Sequence, residues 1–108
     1  MLIFGKRTDI DFHIPAAKAL DASLSQAREL LSNLVDDGES YIGLKDDECT
    51  VKFTAVKNYL FFIEVPLEEK FGAKEAYFSR TKTYNLLVEL FEGKKINDIS
   101  GLVFKSYL

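Results

Sequence analysis

The fold turns on the reading of "CTVKFTAVKNYLFFIEVP", Cys49 to Pro66. Two runs rich in β-branched and aromatic residues flank Lys57-Asn58. That pattern predicts two antiparallel strands joined by a short turn. Successive strand residues point to opposite faces, so Leu60 and Phe62 oppose Phe61 and Ile63. A strand with one wet face alternates apolar and polar residues. This one is apolar on both sides. Either both faces are buried inside the domain, or one waits for a partner.

Working outward, "SYIGLK" (40–45) turns at "DDE" (46–48) into the first of these strands. Downstream, Pro66 is expected to end the second, "LEEKFGAK" (67–74) to form a loop or single turn, and "EAYFSR" (75–80) to return as a strand. Short connections make neighbours antiparallel, which gives a meander. "LIF" (2–4), the alternating "DIDFHI" (9–14) and "GLVFKSYL" (101–108) predict three further strands.

Between Ala16 and Val35 the apolar residues Ala17, Leu20, Leu24, Ala27, Leu31 and Leu34 step by three and four, the stripe of an amphipathic helix. Pro15 suits its first position, and Ser23 with Gln26 offers a second start as a capping box. Asp36 and Asp37 fall at the end where the helix dipole disfavours acids. Tyr84, Leu87, Val88 and Phe91 predict a second helix over 82–92, capped by Thr81 or Thr83 and closed by Gly93. The expected fold is one α+β domain over residues 1–108, an antiparallel sheet with a meander core and two amphipathic helices packed on one face.

Composition narrows the function classes. The chain has 108 residues, nine Phe, five Tyr, one Cys and a net charge of −3. One cysteine precludes an internal disulfide, and no apolar run suits a signal peptide or a membrane span, so a cytoplasmic protein is expected. Residues 1–50 hold ten acids against five bases, and residues 51–108 hold seven against nine. An acidic chain is a poor match for nucleic-acid phosphate, so nucleic acid is not the expected partner, nor, without an apolar span, is a membrane; a basic protein suits it better. Catalytic motifs are lacking: there is no Gly-x-Ser-x-Gly and no phosphate-binding loop. Three acids precede Cys49, a setting that raises rather than lowers a thiol pKa. No cofactor is implied.

Three groups of residues are candidates for function. If "DIDFH" is a strand, Asp9, Asp11 and His13 share one face and form a set that could bind a divalent metal or act in acid–base chemistry. In the meander, "DDE" and "LEE" arrive at the same sheet edge, so Asp46, Asp47, Glu48, Glu68 and Glu69 form a candidate acidic rim for a basic partner. Among the strand aromatics, Tyr59 and Tyr77 are the ones expected to reach a surface and serve as interface anchors.

The order of elements resembles small immunity proteins of bacterial polymorphic toxin systems, including contact-dependent growth inhibition. The likeness lies in the helix of "ARELLSNLVDDGESYIGLK" (27–45), the meander "CTVKFTAVKNYLFFIEV" (49–65), and a helix ending in "LVELFEGKKI" (87–96) before a final strand. The resemblance implies a cytosolic, non-enzymatic inhibitor that binds one cognate toxin domain and occludes its active site. It carries over no individual residue. Two other classes stay open: a secretion-chaperone-like dimer that holds an effector segment, and a small metal-dependent enzyme using Asp9, Asp11 and His13. The oligomeric state is open too, a homodimer included.

Overall fold

A computed structural model describes the chain from Met1 to Leu108. Its eight strands are β1 (Leu2–Arg7), β2 (Phe12–Ile14), β3 (Leu20–Asp21), β4 (Tyr41–Lys45), β5 (Thr50–Val56), β6 (Leu60–Leu67), β7 (Gly72–Ser79) and β8 (Val103–Ser106). They form one sheet in the order β2-β1-β4-β5-β6-β7-β8, with β3 beside β2 on the outer side of β1, and every pairing is antiparallel. The meander β4-β5-β6-β7 is its centre. The helices α1 (Leu24–Ser32) and α2 (Arg80–Phe91) touch each other and pack on the same face. The fold is α+β, as the run of strands with two helices implied.

Register explains the opening stretch. On the helix side Phe53 lies opposite Ile63 and Ala55 opposite Phe61, and these residues join Ile42, Leu44 and Val65 in the core. Phe53, Phe61 and Ile63 are fully buried beneath Leu31, Leu87 and Leu90 of the helices. Leu60, Phe62 and Glu64 point the other way, where no helix lies. Phe62 is half-buried there.

Several boundaries depart from the expectation. The first helix begins at Leu24, not near Ala16. Pro15 opens only a short 3-10 turn, Ala16–Lys18, and Leu20-Asp21 is drawn onto the edge of β1 opposite Ile3 and Leu2. Unpaired backbone at a sheet edge offers ladder bonds that compete with the helix pattern. The capping box then sets the start: Ser23 Oγ accepts from Gln26 N–H at 3.2 Å, and Gln26 Oε1 accepts from Ser23 N–H at 2.9 Å. The helix ends at Asn33, well before Asp37.

Pro66 does not end β6, which runs on to Leu67 with Pro66 opposite Ala73. The pairing with β5 stops at Glu64, so Pro66 lies where one side of β6 is already free, a position that tolerates its missing N–H. In α2 the cap is Ser79, whose Oγ accepts from Lys82 N–H at 3.1 Å, rather than Thr81 or Thr83. Thr83 is instead buried and donates to the Ser79 carbonyl at 2.8 Å. The buried stripe becomes Thr83, Leu86, Leu87 and Leu90, rotated from the predicted one, and Tyr84, Val88 and Phe91 are half-buried at its side. Gly93 closes the helix in the left-handed region at φ 113°. No helix is long and apolar enough to cross a membrane.

Candidate protein-binding surface

The helix-free face of the sheet has two unlike halves. Over β1, β4 and β5 it carries Phe4, Tyr41 and Lys6, Lys45, Lys52. Gly43 is the reason Phe4 fits there. A Cβ at Gly43 would lie 2.0 Å from Phe4 Cζ, so the ring rests flat on bare backbone. Tyr41 meets that ring edge-on at 6.3 Å between centroids. Lys52 Nζ lies 4.3 Å from the Tyr41 centroid, and Lys45 Nζ donates to the Ala16 carbonyl at 2.7 Å. Two of the three lysines of this half, Lys45 and Lys52, are therefore engaged within the chain, and Lys6 is exposed.

The half over β6 and β7 is different. Phe62 lies opposite Tyr77, with ring centroids 4.9 Å apart. Tyr77 is 64% exposed. One pair further along, Glu64 lies opposite Glu75. Like charges directly across an antiparallel pair are unfavourable. Neither carboxylate forms an ion pair within the chain, since the four salt bridges join Met1 to Asp21, Arg7 to Asp9, Lys94 to Glu89 and Lys95 to Glu48. Lys52, the cross-strand neighbour of Glu64, turns to Tyr41 instead. Two aromatic rings in tilted contact beside two uncompensated carboxylates form a surface that suits a cationic side chain set in an apolar surround.

The expected acidic rim lies past the end of this column and divides by role. Glu48, Glu68 and Glu69 line one open concavity, together with Lys45 and Lys70. Asp46, Asp47 and Glu48 line a neighbouring one with Lys94 and Lys95. Asp46 is a structural group. Its Oδ1 accepts from Glu48 N–H at 2.9 Å and Cys49 N–H at 2.7 Å, and its Oδ2 accepts from Ile96 N–H at 2.9 Å. Partial burial works to raise its pKa, yet these three donors hold it below the ordinary value. Glu48 is 3.7 Å from Lys95. Asp47, Glu68 and Glu69 carry no ion pair.

Tyr59 and Tyr77 do not act as one patch with the rim. Tyr59 lies in the β5–β6 turn, at the opposite end of β6 from Glu68, with a left-handed φ of 59°. It is 76% exposed, and the Arg80 guanidinium lies 5.9 Å from its ring. Tyr77 sits on the open face itself. Phe62, Glu64 and Glu75 were absent from the sequence-based site. The signal was available in the pairing register, because "FFIEV" and "KEAYF" align Phe62 with Tyr77 and Glu64 with Glu75 only once the turn length is known.

The candidate metal set Asp9, Asp11 and His13 does not assemble. "DIDFHI" is a strand only from Phe12, and Asp9 folds back onto Arg7 with contacts of 2.7 and 3.1 Å. The Arg7 hydrogen bond holds the Asp9 carboxyl below its usual range. His13 faces Lys6 across the β1–β2 pair. No three His, Cys, Asp or Glu side chains converge closely enough to hold a metal ion. Cys49 is partly buried, and burial first, then Asp46 and Glu48, pushes its thiol pKa up. Compared with protein-family models, with curated proteins and with solved structures, the chain matches none.

Proposed function

We propose that this chain is a non-enzymatic protein-binding inhibitor that docks through the helix-free face of its sheet and occludes the active site of a basic toxin domain, in the manner its element order resembles. The observation that carries the reading is the Phe62–Tyr77 pair, half-buried at Phe62 and exposed at Tyr77, beside the uncompensated Glu64 and Glu75. Aromatic anchors flanked by polar groups dominate interface energetics, and unpaired carboxylates select a partner with Lys or Arg. Glu68 and Glu69, at the end of the same column, and Asp47, in the β4–β5 turn, would steer that partner during approach. A cytosolic site of action fits such an inhibitor.

The test is calorimetric titration of the purified chain with a toxin domain encoded directly upstream of its gene. A tight one-to-one complex is expected. Tyr77→Ala should weaken it by about tenfold or more, the loss typical of an anchor residue. Replacing Asp47, Glu68 and Glu69 with Lys should slow association at low salt and leave dissociation nearly unchanged. Absence of binding, or full affinity in Tyr77→Ala, would overturn the reading.

A further inference from the structure

The sheet has two edges, and they are protected to different degrees. On one side the outermost chain is broken into β2, of three residues, and β3, of two, separated by Pro15 and a 3-10 turn. Short, interrupted segments of this kind blunt an edge. On the other side β8 runs unbroken from Val103 to Ser106, with all four residues exposed. It has no proline or bulge and carries one charge, Lys105. Val103 is 62% exposed and Phe104 44%. An uninterrupted edge strand with exposed apolar side chains is a template for another strand.

Alternation along β8 says which groups are free. Tyr107 N–H donates inward to the Phe71 carbonyl at 2.7 Å. Residues 105 and 103 therefore also bond inward to β7, and the N–H and C=O of Phe104 and Ser106 point outward. A twofold axis through Phe104 would let two copies exchange both hydrogen bonds of a Phe104–Phe104 pair. The next outward groups, Ser106 of one copy and Leu102 of the other, would then pair on either side. In the same register Lys105 faces Val103 of the second copy. Centring the axis on Lys105 instead would place two ammonium groups directly opposite each other, which is unfavourable.

Charge supplies the second argument. Val103 is itself the cross-strand neighbour of Glu75. Twofold pairing at Phe104 thus sets Glu75, Val103 and the second copy's Lys105 in one row on the helix-free face. Two strand spacings, roughly 10 Å, separate Glu75 from that lysine, within the combined reach of the two side chains. Neither Glu75 nor Lys105 has an ion-pair partner within one chain.

We propose that β8 pairs antiparallel with β8 of a second copy of this chain, centred on Phe104, to form a twofold dimer with one continuous sheet. The Glu75 carboxylate of each copy meets the other's Lys105, while Glu64 stays free beside Phe62 and Tyr77. The helix-free faces of both copies become one surface. This inference rests on the edge and its register and does not depend on what that surface binds.

Light scattering after size exclusion tests it. The wild-type chain at high micromolar concentration should have twice the 12.3 kDa mass of one chain. Phe104→Pro removes only an outward N–H and should run as a monomer. Lys105→Glu should weaken the dimer by about tenfold, and adding Glu75→Lys should restore it. In a Cys49→Ser background, Phe104→Cys should be joined between copies by a short bis-maleimide, whereas Lys57→Cys should not; this holds the test even if the proline variant fails to fold. A single-chain mass for the wild type, or a dimer that does not cross-link at residue 104, would overturn the proposal.

Discussion

Phe61 and Phe62 are neighbours in sequence and opposites in setting. Phe61 lies in the core with Ala55 as its cross-strand partner, fully buried beneath the helices. Phe62 lies on the bare side, half-buried against Tyr77. The same side chain on the same strand thus serves the fold in one case and is left to a surface in the other. What separates them is coverage, since both helices sit on one face. The apolar run at 60–63 is two half-strands with different purposes.

The largest expected effect breaks this contrast directly. Phe61→Ala should cost about 3–5 kcal/mol, because it removes a fully buried ring and leaves a cavity. Phe62→Ala should cost about 1–2 kcal/mol, since part of that ring is already in water. Urea unfolding of the two variants measures the difference, and equal losses would mean that the bare face is also a core.

The two glycines of β1 and β4 sharpen the comparison at smaller scale. A Cβ at Gly5 would meet the Tyr41 backbone carbonyl oxygen at 2.6 Å, and backbone in the middle of a sheet cannot step aside. A Cβ at Gly43 meets the tip of the Phe4 ring, a buried side chain rather than backbone. Gly5→Ala should therefore destabilise by about 1–3 kcal/mol and Gly43→Ala by less, with Phe4 displaced toward solvent. Thermal melts rank them, and the reverse order would show that the Phe4 platform is rigid.

The smallest effect concerns the loop that brings the chain from α1 to β4. Asp37 accepts from Thr8 Oγ1 and from the N–H groups of Glu39 and Ser40 at 2.9 Å each. The Thr8 bond first, and then these amides, lower its pKa to about 2. A carboxyl whose folded pKa is depressed adds stability above its unfolded value, near 3.9, and loses it as pH falls toward the folded one. The melting temperature of the wild type should thus fall more steeply between pH 4 and about 2 than that of Asp37→Asn. Parallel curves would mean that the loop does not depend on this ionisation.

Asp37 also shows how far local reading goes. At the sequence level it is an acid at the wrong end of a helix. In the structure α1 ends at Asn33, and Asp37 ties the end of β1 to the start of β4. Asp46 repeats the device one strand later, with Cys49 N–H in place of Ser40 N–H, and adds a bond to Ile96 fifty residues away. In both loops the aspartate bonds backbone N–H groups two and three residues on, which is local turn chemistry. The long-range partners, Thr8 and Ile96, are not local, because they come from other strands and loops. The rim suffers from the same blindness. Its residues converge on one edge as the short turns required, but which carboxylates are spent on backbone amides depends on what packs beside them.

Local pattern determined the strand and helix types, the antiparallel meander, the Ser23–Gln26 capping box and the Gly93 stop, since each follows from side-chain periodicity or from conformations few residues tolerate. Tertiary structure alone decided that the first helix yields its opening turns to the edge of β1. It also decided that Asp9 closes on Arg7 rather than joining Asp11 and His13, and that Phe62, Tyr77, Glu64 and Glu75 meet on an uncovered face. These outcomes depend on register and on which face the helices choose. Both are fixed by contacts between residues far apart in the chain, and a local pattern carries no record of them.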